Sequence, residues 1–390
     1  MGIRVGVVSE SSPGERRVAM VPGAVGVFNK TGAELIIEAG AGQKAGFPDS
    51  EYIEKGVRIA TREEVFAAAD VLLQVRSPGA NSETGAGDLA RFRSGQAVIG
   101  FGEPLTAVDA ARGLAERGVS FLAMELMPRI TRAQSMDALS SMATIAGYKA
   151  VLIAADNLPR MFPMLMTAAG TVAPARVLVI GAGVAGLQAI ATARRLGAIV
   201  SGYDIRAAVK EQVESLGARF VVLEIENAAA EDKGGYAKAM GEDFYRRQRE
   251  AMSGVLAQQQ VVITTAAVPG KKAPILITSE MVSHMAPGSV IVDIAAERGG
   301  NCELTRPGEV VEEGGVQILG PLNLPASIPY HASQMYAKNI ATFVKYLIKD
   351  GKLALNLDDE IVRETLVTHA GEVVHPRVRE LMGLPVPQAV

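Results

Sequence analysis

The sequence predicts an α/β fold with two doubly wound, Rossmann-like parallel-sheet domains, separated by a cleft and linked by long helices. Short apolar runs alternate with helix-like stretches along the 390 residues, which is the pattern of buried parallel strands joined by helices. The runs form two series that divide near residue 137. The second series opens with a strand that leads through a glycine-rich turn into a helix.

The predicted elements follow the chain in order. The first series has strands at IRVGVV, AELIIEA, DVLLQV, AVIGF and VSFLAM. Helical spacing is found between them in GAVGVFNKTG, TREEVFAAA and AVDAARGLAERG. The second series has strands at RVLVIG, AIVSGYD, ARFVVLE, QVVITTA, SVIVDIA and VQILG.

Two long stretches with helical spacing join the series. Residues 137–157 predict a helix that leaves the first domain, and residues 332–351 predict one that returns to it. We therefore expect a flavodoxin- or Rossmann-like domain of residues 1–137 plus 332–390, and a Rossmann domain of residues 138–331. A cleft between two such domains is a usual place for a ligand.

Composition narrows the function classes. Hydrophobic residues are 48%, charged residues 21% and the net charge is −3, so the chain lacks the basic balance that nucleic-acid binding requires. The single cysteine, Cys302, permits no intrachain disulfide and favours a reducing, cytoplasmic compartment. No run of about 18 uncharged apolar residues occurs, so no bilayer span is expected. The four histidines have no ligand-like spacing, so no metal is expected.

Residues 176–204 predict a dinucleotide-binding βαβ unit. Gly181 allows a tight turn after the strand VLVI, and Gly183 lacks a Cβ, so that a pyrophosphate can approach the backbone. Gly186 lets the following helix pack close to the strand. The N-terminus of that helix presents N–H groups and a positive dipole end to the phosphates.

A carboxylate stands at the end of the next strand. Asp204 is placed there to accept hydrogen bonds from both ribose hydroxyls of adenosine. The same charge repels a 2′-phosphate, so the sequence favours NAD over NADP. Arg206 is the opposing observation, because an arginine nearby can accommodate that phosphate.

A polar cluster, MPRITRAQSMD at residues 127–137, contains Arg129, Gln134 and Asp137 but no His, Cys or Lys. Most dehydrogenases oxidise an alcohol or an amine, so they need an acid–base group, commonly His or Lys, for the proton that leaves with the hydride. Hydride exchange between two nicotinamides releases no such proton and requires only aligned rings and excluded water. The cluster therefore favours a positioning site.

Together, the polar cluster and the dinucleotide motif resemble the NAD(H)-binding component, domain I, of proton-translocating nicotinamide nucleotide transhydrogenase. The resemblance covers nearly the whole chain. It is carried by AMELMPRITRAQSMDALSS, MTAAGTVAPARVLVIGAGVAGLQAIATARRLGA, RAAVKEQVESLGA, GGYAKAMGEDF, ITTAAVPGKKAPILI and DIAAERGGNCEL.

The resemblance implies a role for each site residue. Arg129, Asp137 and Ser140 are expected to hold the nicotinamide and its ribose, and Gln134 to reach toward the NADP(H) of a partner. Tyr236, in the mobile loop of that family, is expected to close over the bound nucleotide. The implied NAD(H) contacts are Gly181, Gly183, Val184, Ala185, Gly186, Asp204, Ile205, Arg206, Gly235, Tyr236, Gln248 and Ala267.

The resemblance also implies the reaction and the partners. It is a Re/Si-specific hydride transfer between NADH on this chain and NADP⁺ on a separate domain III, coupled to proton translocation by a membrane domain II. It further implies a homodimer that is cytoplasmic and peripherally associated with the cell membrane through partner subunits. Because one complete dinucleotide motif is present, we expect this chain alone to bind NAD(H) without performing the coupled reaction.

Alanine dehydrogenases have a similar N-terminus, here GERRVAMVP, and define the first alternative function. That family has a Lys-x-Lys-Glu-Pro run where this chain has Gln74-Val-Arg76-Ser-Pro78, and a catalytic His that we align with Phe101. Some transhydrogenases also keep a His there. Arg17 is retained where that family binds a substrate carboxylate, and a salt bridge is its competing interpretation. A non-catalytic NAD-binding module is the second alternative.

Several features have plain structural interpretations. We expect the methionines of MFPMLMTAAG, residues 161–170, in the core, and Cys302 as a small buried side chain. Arg132 is interpreted as a solvated loop charge. The charged stretch GEDFYRRQREAM, residues 241–252, is interpreted as a solvated helix face, with contact to a partner as the alternative.

Overall fold

The structure, a computed structural model, describes residues 2–223, 241–267 and 270–385. It divides into a first unit, Met1–Met142 with Ala326–Val390, and a second unit, Ala143–Pro325. Each unit contains one large sheet with helices, so the predicted α/β class with two Rossmann-like domains is confirmed.

The strands have the following bounds in chain order. They are β1 (Arg4–Val7), β2 (Glu34–Glu38), β3 (Arg58–Ala60), β4 (Val71–Arg76), β5 (Ala97–Phe101), β6 (Ser120–Ala123), β7 (Leu165–Thr167), β8 (Gly170–Val172), β9 (Arg176–Ile180), β10 (Ile199–Tyr203), β11 (Arg219–Phe220), β12 (Val261–Thr264), β13 (Val290–Asp293), β14 (Val310–Glu313), β15 (Val316–Leu319), β16 (Ile348–Lys349), β17 (Lys352–Leu353), β18 (Leu366–His369) and β19 (Glu372–Val373).

The α-helices are bounded in the same way. They are α1 (Val25–Asn29), α2 (Asp49–Glu54), α3 (Arg62–Ala68), α4 (Gly85–Arg91), α5 (Val108–Glu116), α6 (Ala138–Asn157), α7 (Val184–Arg195), α8 (Lys210–Ser215), α9 (Glu242–Leu256), α10 (Ser279–Ser283), α11 (Pro329–Leu347), α12 (Glu360–Thr365) and α13 (Pro376–Leu381). Short 3-10 turns at Met124–Leu126 and Thr131–Met136 lead into α6.

The sheet of the first unit has the order β19-β18-β6-β5-β4-β1-β2-β3. Strands β1 to β6 are parallel to their neighbours, and β18 and β19 from the C-terminal tail add antiparallel strands at one edge. The strand order reverses between β1 and β4. Ligands of open α/β sheets bind at the carboxyl ends of the strands beside such a point.

The sheet of the second unit has the order β11-β10-β9-β12-β13-β15-β14. Its strands are parallel except for β14, which pairs antiparallel with β15. The order reverses between β9 and β12. The glycine-rich turn follows β9 directly, so it lies at the reversal point where a ligand is expected.

Strand β9 shows how the core of the second unit forms. Val177 and Val179 join a buried cluster with side chains of α6 and α7, whereas Leu178 and Ile180 join one with side chains of α9 and α10. Successive strand residues point to opposite faces, so both faces of this strand need apolar side chains. The continuous apolar run in the sequence follows from this burial on two sides.

Helix α6 is apolar and long enough to cross a membrane by length and composition alone. It carries Lys149 and Asp156, so no uncharged apolar run of that length exists in it. Its Ala150, Val151 and Ala154 are buried in the core of the second unit. Small buried side chains are typical of a core helix, and we assign α6 to that role.

The prediction that the methionines of residues 161–170 lie in the core is wrong. Met161, Met164 and Met166 are exposed, Met166 by 78%. This stretch leads into the hairpin of β7 and β8, which forms a separate two-stranded sheet. A short apolar run cannot distinguish a buried strand from a hairpin that has no second layer over it.

Two further elements differ from prediction in length. The strand expected at ARFVVLE is reduced to the two residues of β11. The helix expected at 332–351 begins at Pro329, which occupies its first turn, and ends at Leu347. Proline suits the first helical turn because its missing N–H is not needed there.

Candidate functional site

The glycine-rich turn of the second unit is tight at two glycines and open at the third. Gly181 has a φ of 97°, and a Cβ on it would lie 2.5 Å from Thr265 Oγ1. A Cβ on Gly186 would lie 1.7 Å from Gly181 O, so α7 packs directly on the turn. A Cβ on Gly183 would meet no atom of the described residues within 4 Å. The turn therefore has free space at Gly183 and none at its neighbours.

Helix α7 begins directly at this open space. Its N-cap is Gly183, which has no side chain to accept from the N–H groups of the first turn. Val184 and Ala185, the first two helical residues, are half-buried. Unsatisfied N–H groups and the positive end of a helix dipole together attract anions, so this end of α7 fits a phosphate.

Asp204 lies against the same turn. Its Oδ2 accepts from Ala182 N at 2.8 Å, and its side chain is 4% exposed. Arg206 binds both oxygens with its guanidinium, Nε to Oδ1 at 2.9 Å and Nη2 to Oδ2 at 2.8 Å. Ile205 between them is half-buried. The carboxylate predicted at the strand end is thus present, but an arginine side chain is bound to it.

Gln248 of α9 lies beside the end of β10. It is 2% exposed, and its Nε2 donates to Tyr203 Oη at 2.7 Å. Burial raises the pKa of Tyr203 to about 12, so the hydroxyl is neutral at physiological pH. The amide oxygen of Gln248 is buried and has no donor among the described residues. A buried acceptor without a donor is unfavourable by about 1–3 kcal/mol, which makes this oxygen suitable for a donor from a ligand.

A buried carboxylate that the sequence did not single out organises the loops after β12 and β13. Asp293 accepts from Thr264 Oγ1, Asn301 N, Thr305 Oγ1 and two further backbone N–H groups. Asn301 in turn donates Nδ2 to Ala266 O at 2.8 Å and accepts from Ala266 N at 3.0 Å. These bonds fix the backbone just before Ala267, which is exposed.

The polar cluster of the first unit is a 3-10 turn followed by the start of α6. Arg129 and Gln134 are exposed, whereas Asp137 and Ser140 are half-buried. Asp137 accepts from Ser140 N at 2.9 Å and from Ser140 Oγ at 2.6 Å. An aspartate at this position satisfies an N–H group of the first helical turn, so Asp137 caps α6 as well as facing the loop.

Two side-chain contacts attach this loop to the C-terminal part of the first unit. Arg132 Nη1 donates to Tyr346 Oη at 2.9 Å and to Asp359 Oδ2 at 3.0 Å. Asn339 of α11 donates Nδ2 to Ser135 O at 2.9 Å. The interpretation of Arg132 as a solvated loop charge is therefore wrong. Its partner is distant in the sequence, so no local pattern could have indicated the pair.

Buried charges fill the reversal point of the first sheet. Arg17 is bound by Glu15 through Nε at 2.8 Å and Nη2 at 2.6 Å, and Arg76 Nε lies 3.3 Å from Glu15 Oε2. Glu10 accepts from Val75 N at 2.6 Å. Burial and the neighbouring Glu15 raise the pKa of Glu10 to about 8. Arg17 is engaged by a carboxylate of its own chain, which is the salt-bridge interpretation of this residue.

Glu125, another residue that sequence reasoning missed, lies beside the end of β5. Its Oε1 accepts from Gly102 N at 2.8 Å and from the backbone N–H of Glu103, which has a φ of 48°. Burial raises the pKa of Glu125 to about 7. Phe101, at the end of β5, has its ring 5.4 Å from that of Tyr336. Perturbed carboxyl groups are common at functional sites and also in structural networks.

Comparison with known proteins covers both units. Residues 6–146 match the model of the alanine dehydrogenase/PNT N-terminal domain, and residues 150–376 match that of the C-terminal domain. The chain belongs to the alanine dehydrogenase/PNT family. Family membership agrees with the two units seen in the structure.

Within this family, the relatives share nearly the full length of the chain. The first of the separately encoded pieces of NAD(P) transhydrogenase subunit alpha from Rhodospirillum rubrum is 48% identical over 378 residues, covering 96% of this chain and 98% of that protein. A solved transhydrogenase structure from Sinorhizobium meliloti is 46% identical, with a TM-score of 0.84, and covers 95% of this chain and 100% of that chain. These matches confirm the resemblance to transhydrogenase domain I. A solved L-alanine dehydrogenase, at 24% identity and a TM-score of 0.82, covers 98% of this chain and 99% of that chain, and shows the fold alone.

The predicted site residues fall into two groups, one in each unit. Gly181, Gly183, Val184, Ala185, Gly186 and Asp204 to Arg206 surround one turn, with Gln248 at the end of the neighbouring strand. Arg129, Gln134, Asp137 and Ser140 lie together in the first unit. Gly235 and Tyr236 lie outside the described residues. No group of three His, Cys, Asp or Glu side chains suited to a metal ion occurs within the described ranges.

Proposed function

We propose that this chain is the NAD(H)-binding component of a proton-translocating transhydrogenase, in which hydride passes directly between NAD(H) held here and NADP(H) held on a partner domain III. One observation carries the proposal. A dinucleotide-type turn with open space at Gly183 occurs in a chain whose polar loop, residues 127–137, has no His, Lys or Cys. The 48% identity to a transhydrogenase subunit over the full chain supports it.

The second unit has features that suit NAD(H). The space at Gly183 and the uncapped first turn of α7 provide a place for the pyrophosphate. Asp204, at the end of β10, is placed for the adenosine ribose hydroxyls and is unfavourable for a 2′-phosphate. Gln248 Oε1 is a buried acceptor that a donor group of the nucleotide can satisfy. We therefore assign NAD(H) to this chain and NADP(H) to the partner.

The polar loop of the first unit is assigned to the nicotinamide. Arg129, Asp137 and Ser140 hold the ring and its ribose, and Gln134 reaches toward the NADP(H) of the partner. The exposure of Arg129 and Gln134 supports roles that face other molecules. The carboxylate of Asp137, oriented by two hydrogen bonds from Ser140, provides a fixed acceptor.

Chemistry in this scheme requires positioning and little else. The bound nicotinamide supplies or accepts the hydride, and no substrate proton is released. The side chains of the loop must hold the ring within reach of the second ring and exclude water, and a misplacement of about 1 Å can slow such a step about 100-fold. Hydrogen-bonding side chains such as Arg129 and Asp137 are suited to that task.

The partners proposed for this chain are a membrane domain II and an NADP(H)-binding domain III, with proton translocation in domain II. We further propose that the chain forms a homodimer and is held at the cytoplasmic side of the cell membrane by those partners. The names of transhydrogenase relatives, which denote the alpha subunit or a piece of it, support an assembly of several components.

The test is to mix the purified chain with a domain III and to follow hydride transfer between NADH and an NADP⁺ analogue by rapid mixing. Transfer in the mixture, and none with either component alone, is expected. Arg129→Ala and Asp137→Asn should slow the transfer more than they weaken NADH binding. Gln134→Asn should slow the transfer and leave NADH affinity unchanged. An equal loss of transfer and of binding in the first two variants would contradict the positioning role.

An alanine dehydrogenase is the second candidate, and one observation favours it. Glu125, with a pKa raised to about 7, lies at the end of β5 and could act as an acid–base group. Against it, the guanidinium of Arg17 is engaged by Glu15 and is not presented to a substrate carboxylate. Reduction of pyruvate with ammonium and NADH by the chain alone would select this candidate. NADH binding without transfer to a loaded domain III would select a non-catalytic module.

A further inference from the structure

The carboxylate of Asp204 accepts four hydrogen bonds. Oδ1 accepts from Arg206 N at 2.8 Å and from Arg206 Nε at 2.9 Å. Oδ2 accepts from Ala182 N at 2.8 Å and from Arg206 Nη2 at 2.8 Å. A carboxylate offers about four acceptor positions, so these four donors fill it.

Two of these donors are fixed and two are exchangeable. The backbone N–H groups of Ala182 and Arg206 belong to the turn and to the end of β10, and a ligand cannot displace them without moving the backbone. The guanidinium of Arg206 is at the end of a flexible side chain. Two ribose hydroxyls need two acceptor positions on Asp204, and only those occupied by the guanidinium can be vacated.

We propose that Arg206 competes with the adenosine ribose for Asp204, so that NAD(H) binds only as the guanidinium leaves the carboxylate. The inference rests on the proposed function, because it assumes that the second unit binds NAD(H). Arg206 thereby lowers the affinity for NAD(H). The displaced guanidinium lies beside the 2′ position of the ribose, where it attracts the additional phosphate of NADP(H) and limits how strongly Asp204 rejects that nucleotide.

This proposal runs against simple electrostatics. An arginine near the pyrophosphate is ordinarily expected to strengthen nucleotide binding, and its removal to weaken it. The pair of Arg206 and Asp204 is mostly buried, with side chains 12% and 4% exposed, and both guanidinium contacts are charge-assisted. Breaking a buried, two-pronged ion pair opposes binding more strongly than a screened attraction over a longer distance favours it.

The experiment measures the dissociation constants of NADH and NADPH for the full chain and for two variants. Arg206→Lys keeps the positive charge but cannot make the two-pronged contact. We expect it to tighten NADH binding about threefold, and Arg206→Gln to tighten it by up to about tenfold, within the range of one charge-assisted hydrogen bond. Arg206→Gln should at the same time weaken NADPH binding, so the two nucleotides respond with opposite signs.

Three controls separate competition from other effects. Arg195→Lys, an exposed exchange at the far end of α7, should leave both affinities unchanged. Reduced nicotinamide mononucleotide lacks the adenosine ribose, so its affinity should not change in Arg206→Lys. In an Asp204→Asn background, Arg206→Lys should no longer tighten NADH binding, because the interaction being competed for has been altered.

The outcomes are distinct. Weaker NADH binding in both Arg206 variants, or tightening that persists with Asp204→Asn, would overturn the competition and leave the proposed function intact. Failure of the unaltered chain to bind NADH would overturn both. Opposite changes for NADH and NADPH in Arg206→Gln, absent in the Arg195→Lys control, would support the proposal.

Discussion

Replacing Gly186 by alanine tests how the dinucleotide turn is built. The added Cβ would lie 1.7 Å from Gly181 O, whereas the shortest ordinary carbon–oxygen contacts are about 3.3 Å, so the helix and the turn must separate by roughly 1.6 Å. Overpacking typically destabilises by about 1–3 kcal/mol, and the obstacle here is backbone that cannot rotate away. We expect about 3 kcal/mol, or a melting temperature lower by about 6–12 °C for a domain of this size.

The matched substitution is Gly183→Ala in the same turn. Gly183 has a φ of −77°, which any residue adopts, and its added Cβ meets no described atom within 4 Å. Stability should therefore change by less than about 0.5 kcal/mol. The methyl group would occupy the place proposed for the pyrophosphate, so NADH affinity should fall at least about tenfold, or about 1.4 kcal/mol.

Thermal unfolding and NADH titration of both variants provide the assay. The expected pattern is a loss of stability in Gly186→Ala and a loss of binding alone in Gly183→Ala. A Gly186→Ala variant as stable as the parent would refute the packing argument. A Gly183→Ala variant that binds NADH normally would refute the placement of the pyrophosphate.

Three further outcomes are expected. Glu10 keeps its proton in the folded chain up to about pH 8 but ionises near pH 4.5 when unfolded, so its contribution to stability should fall as pH rises between these values, and Glu10→Gln should flatten that slope in denaturant titrations. Cys302 is buried and burial raises its pKa to about 12, so it should react with a thiol reagent at pH 8 only after unfolding. Asp137→Ala should lower stability by about 1 kcal/mol through the lost helix cap, whereas Asp137→Asn should retain the cap, and unequal effects of the two on melting temperature would verify it. Equal melting temperatures for these two variants would contradict the capping role.

Features set by local spacing could be predicted from the sequence. The strand, turn and helix around Gly181, and the carboxylate at Asp204, depend on residues close together in the chain. The strands of both sheets were recognisable because burial on two faces requires continuous apolar runs. The long helix α6 begins where Asp137 provides a cap.

Features set by tertiary contacts could not be predicted in the same way. Arg132 meets Asp359, and Asn301 meets Ala266, only because the fold brings distant segments together. The fork of Arg206 on Asp204 is local, but its geometry depends on backbone dihedral angles that the letters do not encode. The exposed Met166 shows that an apolar residue in an unpaired hairpin carries the same sequence signal as one in the core.

Direct hydride transfer is the central claim, and an isotope label tests it most directly. NADH with deuterium at the transferable position of the nicotinamide is mixed with this chain and a domain III loaded with NADP⁺, and the product NADPH is examined by mass spectrometry. Direct transfer predicts that the deuterium appears in NADPH without dilution by solvent protons. NADPH that lacks the label, or bound NADH that transfers nothing, would contradict the claim.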